Sequence, residues 1–337
     1  MTTKAALFSI ENNTLHSLLD AQLELSAEYR NQLTSHLPMA LHALHSLGAS
    51  PQRLQSFYAS YARRFDGMPG AALAQPVADW RSLRGQPDAY PALLASMRAL
   101  VDRDGVNATL RAMLPDLLLG VAAAAFHGLI RTAHAVQSDH TGEVAAALAY
   151  WVWRWQSLAP AQVPAVRMPL PAWSQALVRD AQVWRTDGSL ISIRMDQATQ
   201  GAVYRSLADA LQPFADLHSA IVSLAALAAE RYVASPNFTV LHMITGLRAL
   251  RVLLPWIESE EGVQSILVRA FTAAYLAARV VPLPVAPTPR LSTWPEIIAA
   301  AIASDDDHVI KLVHACRDEA SAYGQGNYLR AATLAVG

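Results

Sequence analysis

The chain of 337 residues lacks most of the motifs that identify common classes of enzyme. Its one cysteine, Cys316, excludes an intrachain disulfide framework and any metal site built from several cysteines of this chain. No G-x-S-x-G, H-E-x-x-H or paired E-x-x-H motif occurs, and no glycine-rich loop joins a predicted strand to a helix. The sequence therefore does not indicate an α/β-hydrolase, a zincin, a ferritin-like di-iron bundle or a Rossmann domain.

An excess of charge and a long apolar run are also missing. The 26 Lys and Arg residues balance the 27 Asp and Glu residues, and no block of like charge suits a nucleic-acid-binding arm. The longest apolar run, residues 117–130, is too short to span a bilayer and contains His127. Acidic and polar residues interrupt residues 1–14, where a signal peptide needs an uninterrupted apolar stretch. We expect a cytoplasmic monomer or homodimer that binds neither nucleic acid nor membranes.

Alanine and leucine, by contrast, are abundant and recur at helical spacing. Hydrophobic residues make up 53% of the chain, which predicts a large, all-α, bundle-like domain of many helices. Prolines break the pattern within residues 158–196, where residues 189–195 are the only stretch that resembles a strand. We predict one helical domain over residues 1–337, in three parts: an N-terminal half, 1–157, an irregular Pro-rich crossover, 158–196, and a C-terminal half, 197–337.

Cap residues and apolar periodicity also predict individual helices. A helix over 36–47 ends at Gly48, and Ser50 and Pro51 begin the next one. A loop is expected at 66–76, and a Pro-rich linker at 281–289 is expected to precede the last helix. The other predicted helices are 90–100, 104–113, 115–136, 141–156, 202–211, 217–232, 237–253, 262–278 and 307–323.

The 11 histidines leave a long gap in the sequence. None lies between residues 141 and 217, so a site built from histidines would join the first 140 residues to the C-terminal half. His308 and Lys311 are three residues apart on one face of the last predicted helix. An ammonium has no lone pair, so Lys311 would bind a metal only when deprotonated or converted by CO₂ to a carbamate. The alternative is that Lys311 reaches solvent or pairs with an aspartate.

Residues 126–134 form a second candidate segment. His127, Arg131 and His134 follow each other at i, i+4 and i+7, which gives one polar stripe on an apolar helix. An imidazole there is suited to bind a metal, and Arg131 is suited to neutralise a phenolate or carboxylate. The alternative is a hydrogen-bonded core histidine beside a surface arginine.

Two further segments contain histidines in apolar helices. His36 and His42 are six residues apart, which turns a helix by about 600°, so both cannot reach one metal from a regular helix. His242 precedes Gly246 by one turn, and the space beside that glycine would admit a ligand or another helix. The alternative to a ligand role is that His242 is a hydrogen-bonded core residue.

Taken together, the segments HLPMALHALHSLGAS, FHGLIRTAH, NFTVLHMITGLRALRVLLP and DDDHVIKLVHACRDE resemble, in this order, the questin oxidase-like family. The similarity extends over about residues 36–329. Characterised members are described as Baeyer-Villiger-like oxidases or iron-dependent oxygenases of fungal polyketide pathways. The resemblance implies a single metal, iron by expectation, bound by residues from four helices: His36, His127, His242, His308 and Lys311.

The same resemblance implies a function. It predicts an oxidoreductase that uses O₂ to oxidise or cleave an aromatic or quinone polyketide-like substrate. Arg131 and His134 would orient or deprotonate a phenol of that substrate. Fungal members often carry more histidines soon after the first, whereas this chain has Met39 and Ala40, so the substrate itself stays open.

Two other interpretations remain. The first is a metal-free oxidase that uses the same pocket with NADPH as reductant, although no nucleotide-binding fingerprint supports it. The second is a non-catalytic helical binding or scaffold protein in which the histidines are structural.

Overall fold

The computed structural model describes residues 4–30, 32–70, 72–280 and 292–337. This part of the chain is mainly helical and has only one sheet of two short strands, which confirms the all-α prediction. Two strands of two residues, β1 (Glu28–Tyr29) and β2 (Leu33–Thr34), pair antiparallel. The helices are α1 (Lys4–Gln22), α2 (Leu37–Leu47), α3 (Pro51–Ala62), α4 (Tyr90–Leu118), α5 (His127–Gln137), α6 (Thr141–Trp153), α7 (Leu170–Ala181), α8 (Ile191–Thr199), α9 (Ala202–Leu207), α10 (Leu217–Ala234), α11 (Phe238–Leu253), α12 (Val263–Ala277), α13 (Trp294–Ala303), α14 (Asp307–Tyr323) and α15 (Gly326–Val336).

Capped helices agree best with the predictions. Helix α14 has the predicted bounds, and the side chain of Asp306 caps it by accepting from the backbone N–H of His308. Asn237 caps α11 in the same way. A capping side chain satisfies N–H groups that have no partner within the helix, so it sets the first residue of that helix.

Some predictions are wrong. Residues 189–195 do not form a strand, because α8 begins at Ile191 and buries Met195 and Ala198 against α12. The crossover 158–196 also contains α7. Helices α1, α13 and α15 were not predicted, and the Pro-rich linker 281–289 lies entirely outside the described residues.

The predicted helix over 115–136 is wrong as one element. Helix α4 continues to Leu118, the chain then leaves helical geometry, and α5 begins at His127. The expected division between 100 and 104 is present as a kink, since Gly105 has φ 78° and ψ 161° inside α4. The break before α5 matters for the site, because it puts His127 at a helix start and not in a helix interior.

Four helices form the centre of the fold. Helix α2 packs against α5 and α14, and α11 packs against the same two, so the four close into a ring. Contacts near their starts join His36 to His127 and His242 to His308, and contacts further along join His42 to His134 and Arg248 to Asp318. The four helices therefore run in the same direction. Two come from each half of the chain, as the distribution of histidines predicts.

One helical segment of the described chain, Phe238–Trp256, is long and apolar enough to cross a membrane, with a mean hydropathy of 1.3. In the structure 72% of that window is buried. A buried core helix has the same composition, so this property is weak evidence for a membrane span.

Candidate metal centre

Four histidines meet where the four central helices begin. His36 immediately precedes α2, His127 opens α5, His308 is the second residue of α14, and His242 lies in the second turn of α11. Their ring centroids are 4.7 Å apart for His36 and His127, 4.7 Å for His36 and His308, 4.8 Å for His127 and His242, and 5.9 Å for His242 and His308. The four rings therefore form a closed cluster.

Each ring has its Nδ1 atom beside an acceptor. The Nδ1 of His242 donates to the carbonyl of Phe238 at 2.7 Å, and that of His127 donates to the carbonyl of Ala124. The Nδ1 of His36 donates to the Asp307 carboxylate at 2.6 Å, and that of His308 is 3.0 Å from the same carboxylate. Carbonyls and carboxylates only accept, so the proton of each neutral ring is on Nδ1 and the lone pair is on Nε2. Histidines that bind metals are usually held in this way.

The four Nε2 atoms lack suitable partners within the described structure. Those of His242 and His308 are buried without any hydrogen-bond partner. Those of His36 and His127 face each other at 2.7 Å, so that two lone pairs point at one another. Only a proton or a cation between these two atoms would make the contact attractive.

Burial argues against a proton shared between His36 Nε2 and His127 Nε2. It lowers the pKa of His36 to about 3 and also lowers the pKa of His127, His242 and His308, and the nearby Lys311 ammonium lowers each of them further. The rings are therefore neutral near pH 7. Four neutral imidazoles in one buried cluster, with Nε2 lone pairs that no donor uses, suit a metal ion.

Asp307 and Lys311 lie beside the cluster. Burial alone would raise the pKa of Asp307, but His36 and the Lys311 ammonium hold it below its usual range. Its second oxygen accepts from Arg64 at 3.1 Å, and Lys311 Nζ is 3.9 Å from Oδ1. Burial lowers the pKa of Lys311 to about 8. Lys311 is thus close to the four histidines, although its nearest charged partner is Asp307.

An unusual turn sets the position of His127. Ala124, Ala125 and Phe126 have φ values of 46°, 58° and 70°, which non-glycine residues rarely adopt and which cost roughly 1 kcal/mol or more each. The turn presents the Ala124 carbonyl to the His127 ring. The Phe126 ring fills the space beside Gly246, where a Cβ would lie 3.2 Å from it. That space therefore holds neither a ligand nor another helix.

The histidines form one wall of a cavity of about 370 Å³. Its other walls are mainly apolar and come from the strands, the turn before α5, the start of α8 and Phe238. Phe238 is 52% exposed, and its ring centroid is 4.4 Å from that of His308. The cavity therefore suits a small, largely apolar molecule held against the histidines.

Arg131 and His134 are not among the residues that line this cavity. Arg131 forms a buried two-point ion pair with Glu143, at 2.6 and 2.9 Å, and His134 hydrogen-bonds to His42 at 2.8 Å. They do share the stripe of His127, as predicted. Each helical turn, however, advances about 5.4 Å along the helix axis. Arg131 therefore lies one turn beyond His127, and His134 lies two turns beyond it. The expected contact with a substrate phenol is not part of this geometry.

Sequence reasoning missed Asp307, Arg64 and Phe238. A run of aspartates such as Asp305–Asp307 is typical of a helix cap, and Asp306 caps α14, whereas Asp307 turns to His36. No spacing rule relates two residues that are 271 positions apart. In the sequence, nothing distinguishes Phe238 from the other apolar residues near helix starts.

Comparison with known proteins identifies the family of the chain. The family model described as Questin oxidase-like matches residues 33–316, which include all four helices of the cluster up to Cys316. No curated protein gives a significant match. The description of the family indicates an oxidoreductase of the oxidase type. The match covers most of the chain, and the protein therefore belongs to the questin oxidase-like family.

Proposed function

We propose that the protein is an iron-dependent oxygenase that oxidises or cleaves an aromatic or quinone substrate bound in the cavity beside the four histidines. One observation carries the proposal. Four buried imidazoles keep their Nδ1 atoms beside fixed acceptors and present Nε2 lone pairs that no other described group uses. Bound iron(II) with an open coordination position would supply the activation of O₂.

The side chains of the chain itself have distinct tasks in this proposal. The carboxylate of Asp307 holds the proton on His36 Nδ1 and so keeps the Nε2 lone pair directed at the metal, and Arg64 holds the carboxylate. Phe238 and the apolar walls stack against the substrate ring and exclude water from the histidines. The cavity thus selects a flat apolar ring and brings its edge to the site of O₂ chemistry.

A second ligand arrangement deserves comparison. Among the described residues, one ligand atom each from His36, Asp307 and His308 lie within 4.8 Å of one another. A metal held there through the Nδ1 atoms of both rings would displace the proton that joins His36 to Asp307 and would leave the buried Nε2 atoms of His242 and His308 unpaired. Buried polar atoms without partners cost about 1–3 kcal/mol each, so we favour the Nε2 set.

Lys311 is the proposed fifth ligand, as a carbamate. It is one of two lysines among 26 basic residues, the other being Lys4, and it is 3% exposed. Its pKa of about 8 leaves part of the amine neutral at pH 7–8, as reaction with CO₂ requires. A carbamate would add an anionic oxygen beside four imidazoles, whereas an arginine would keep its charge permanently.

The carbamate has a direct spectroscopic test. After equilibration with ¹³C-bicarbonate, the parent protein is expected to show a carbamate carbon signal in ¹³C NMR, and Lys311→Met is expected to lack it. Lys4→Arg is the matched control and should keep the signal. A parent spectrum without a carbamate signal, in the presence of bound metal, would remove Lys311 from the ligand set.

The iron itself is tested by elemental analysis of protein purified without chelator and reconstituted anaerobically with iron(II). We expect about one iron per chain in the parent and less than roughly a tenth of that in His308→Ala, because an orienting partner alone is worth 10–100-fold in metal affinity and a ligand is worth more. His218→Ala replaces an exposed histidine on α10 and should keep its iron. Iron-free parent protein that still consumes O₂ with a quinol substrate would favour the metal-free oxidase instead.

A further inference from the structure

A second cluster of buried histidines lies deeper in the same ring of helices. This second cluster consists of His42 on α2, His134 on α5 and His314 on α14. Each of these residues follows a histidine of the first cluster by six or seven residues on the same helix, which places the second cluster about 9–10 Å further along the helix axes. The ring centroids are 5.0 Å apart for His42 and His134, 5.5 Å for His42 and His314, and 5.3 Å for His134 and His314. The proposed metal chemistry uses none of these residues.

The fourth helix contributes an arginine to this second cluster. Arg248 follows His242 by six residues on α11 and is 1% exposed. Its Nε donates to Asp318 at 2.7 Å, and its Nη2 donates to Gln137. Its Nη1 is buried without a partner in the described structure, as is the Nδ1 of His314. Two buried polar atoms of neighbouring side chains thus remain available.

Both side chains line a second cavity of about 360 Å³, which is separate from the first. His42, Ser46 and Gln137 line it too, as does the exposed Arg317. Asp318 is the one carboxylate among the lining residues, and Arg248 and Arg251 already share it. The wall of the cavity therefore carries more positive than negative charge.

This charge argues against a cation. Burial lowers the pKa of all three rings, and the charge of Arg248 lowers it further, so the guanidinium acts on each of them. A guanidinium with a free N–H is instead the usual partner of a carboxylate or phosphate.

We propose that the second cavity is a binding site for a small oxyanion, a carboxylate or a phosphate, held by Arg248 Nη1, the His314 ring and Arg317. The anion would give the orphaned Nη1 of Arg248 an acceptor and would balance the excess positive charge. The proposal does not depend on the function of the first cluster, because its ligand binds to different residues in a different cavity.

Titration calorimetry on the full chain as purified tests the proposal with inorganic phosphate and with acetate at constant ionic strength in chloride. We expect saturable binding of at least one of the two, and which of them binds separates the phosphate from the carboxylate source. Arg317→Ala is expected to bind roughly tenfold more weakly, the effect of losing one charge-assisted hydrogen bond. Arg103→Ala, which removes an exposed arginine from α4, is the matched control and should bind as the parent does.

His314→Gln is a second variant that keeps a polar side chain in the buried position, and it should also weaken binding. Three results would overturn the proposal: no saturable binding of either anion to the parent, equal binding by the parent, Arg317→Ala and His314→Gln, or a second equivalent of Zn²⁺ that the parent binds and His314→Gln loses. The last result would make the cluster a metal site. None of these results depends on oxygenase activity.

Discussion

Replacing His127 with alanine is expected to release the metal and to lower O₂ consumption at least about 100-fold, while the protein stays folded. The expected loss follows from the position of the ring: its Nε2 faces that of His36 at 2.7 Å, so His127 takes part in the contact that most needs a cation. Iron content and O₂ uptake with a hydroxyquinone measure the effect.

The same substitution is not expected to destabilise the metal-free protein. In the iron-free parent, two lone pairs face each other, and removing one of them relieves that repulsion. We therefore expect the Tm of iron-free His127→Ala to equal or exceed that of the iron-free parent. Iron should raise the Tm of the parent but not that of His127→Ala.

His218→Ala again serves as the control and should respond to iron as the parent does. A purely structural histidine gives the reverse result, a Tm that falls by the same amount with and without iron. That outcome would favour the scaffold interpretation over the oxygenase.

Removing the charge of Arg131 is expected to cost about 3–5 kcal/mol of unfolding free energy, because it leaves the Glu143 carboxylate buried without its partner. Arg131 is 2% exposed and Glu143 is 1% exposed, and the guanidinium meets both carboxylate oxygens. The only other side chain that donates to Glu143 is Gln22, at 2.5 Å, among the hydrogen bonds of the described residues. Urea unfolding of Arg131→Met measures the loss.

The double variant Arg131→Met/Glu143→Leu separates a structural role from a catalytic one. Replacing both charges with apolar groups of similar size removes the unpaired ion, so at least half of the lost stability should return. Because Arg131 is absent from the lining of the first cavity, kcat of the folded double variant should stay within roughly threefold of the parent. A double variant that is stable but inactive would indicate that Arg131 takes part in the reaction.

Most of the secondary structure was predictable where local signals are strong. The helix over 307–323 has the predicted bounds because a capping aspartate and an apolar period of 3.6 agree. Residues 189–195 resemble a strand because isoleucine and serine alternate at 191–193. Helix α8 buries only two apolar residues, Met195 and Ala198, which are too few for a helical period to show in the sequence. The break at 119–126 is not visible in the sequence because its alanines favour a helix, although Ala124 and Ala125 adopt left-handed geometry. Tertiary contacts, including the packing of Phe126 against Gly246, override the local helix preference there.

The sequence by itself determined the helical class, the need to join two distant parts of the chain, and the histidines available at helix starts. Only the tertiary structure decided which of them share a cavity. Partners such as His36 and His127, 91 residues apart, or His36 and Asp307, 271 residues apart, are related by the packing of four parallel helices and by no local period. The same packing separates Arg131 and His134 from the site, because helical periodicity specifies the face on which a side chain lies but not its depth along the axis.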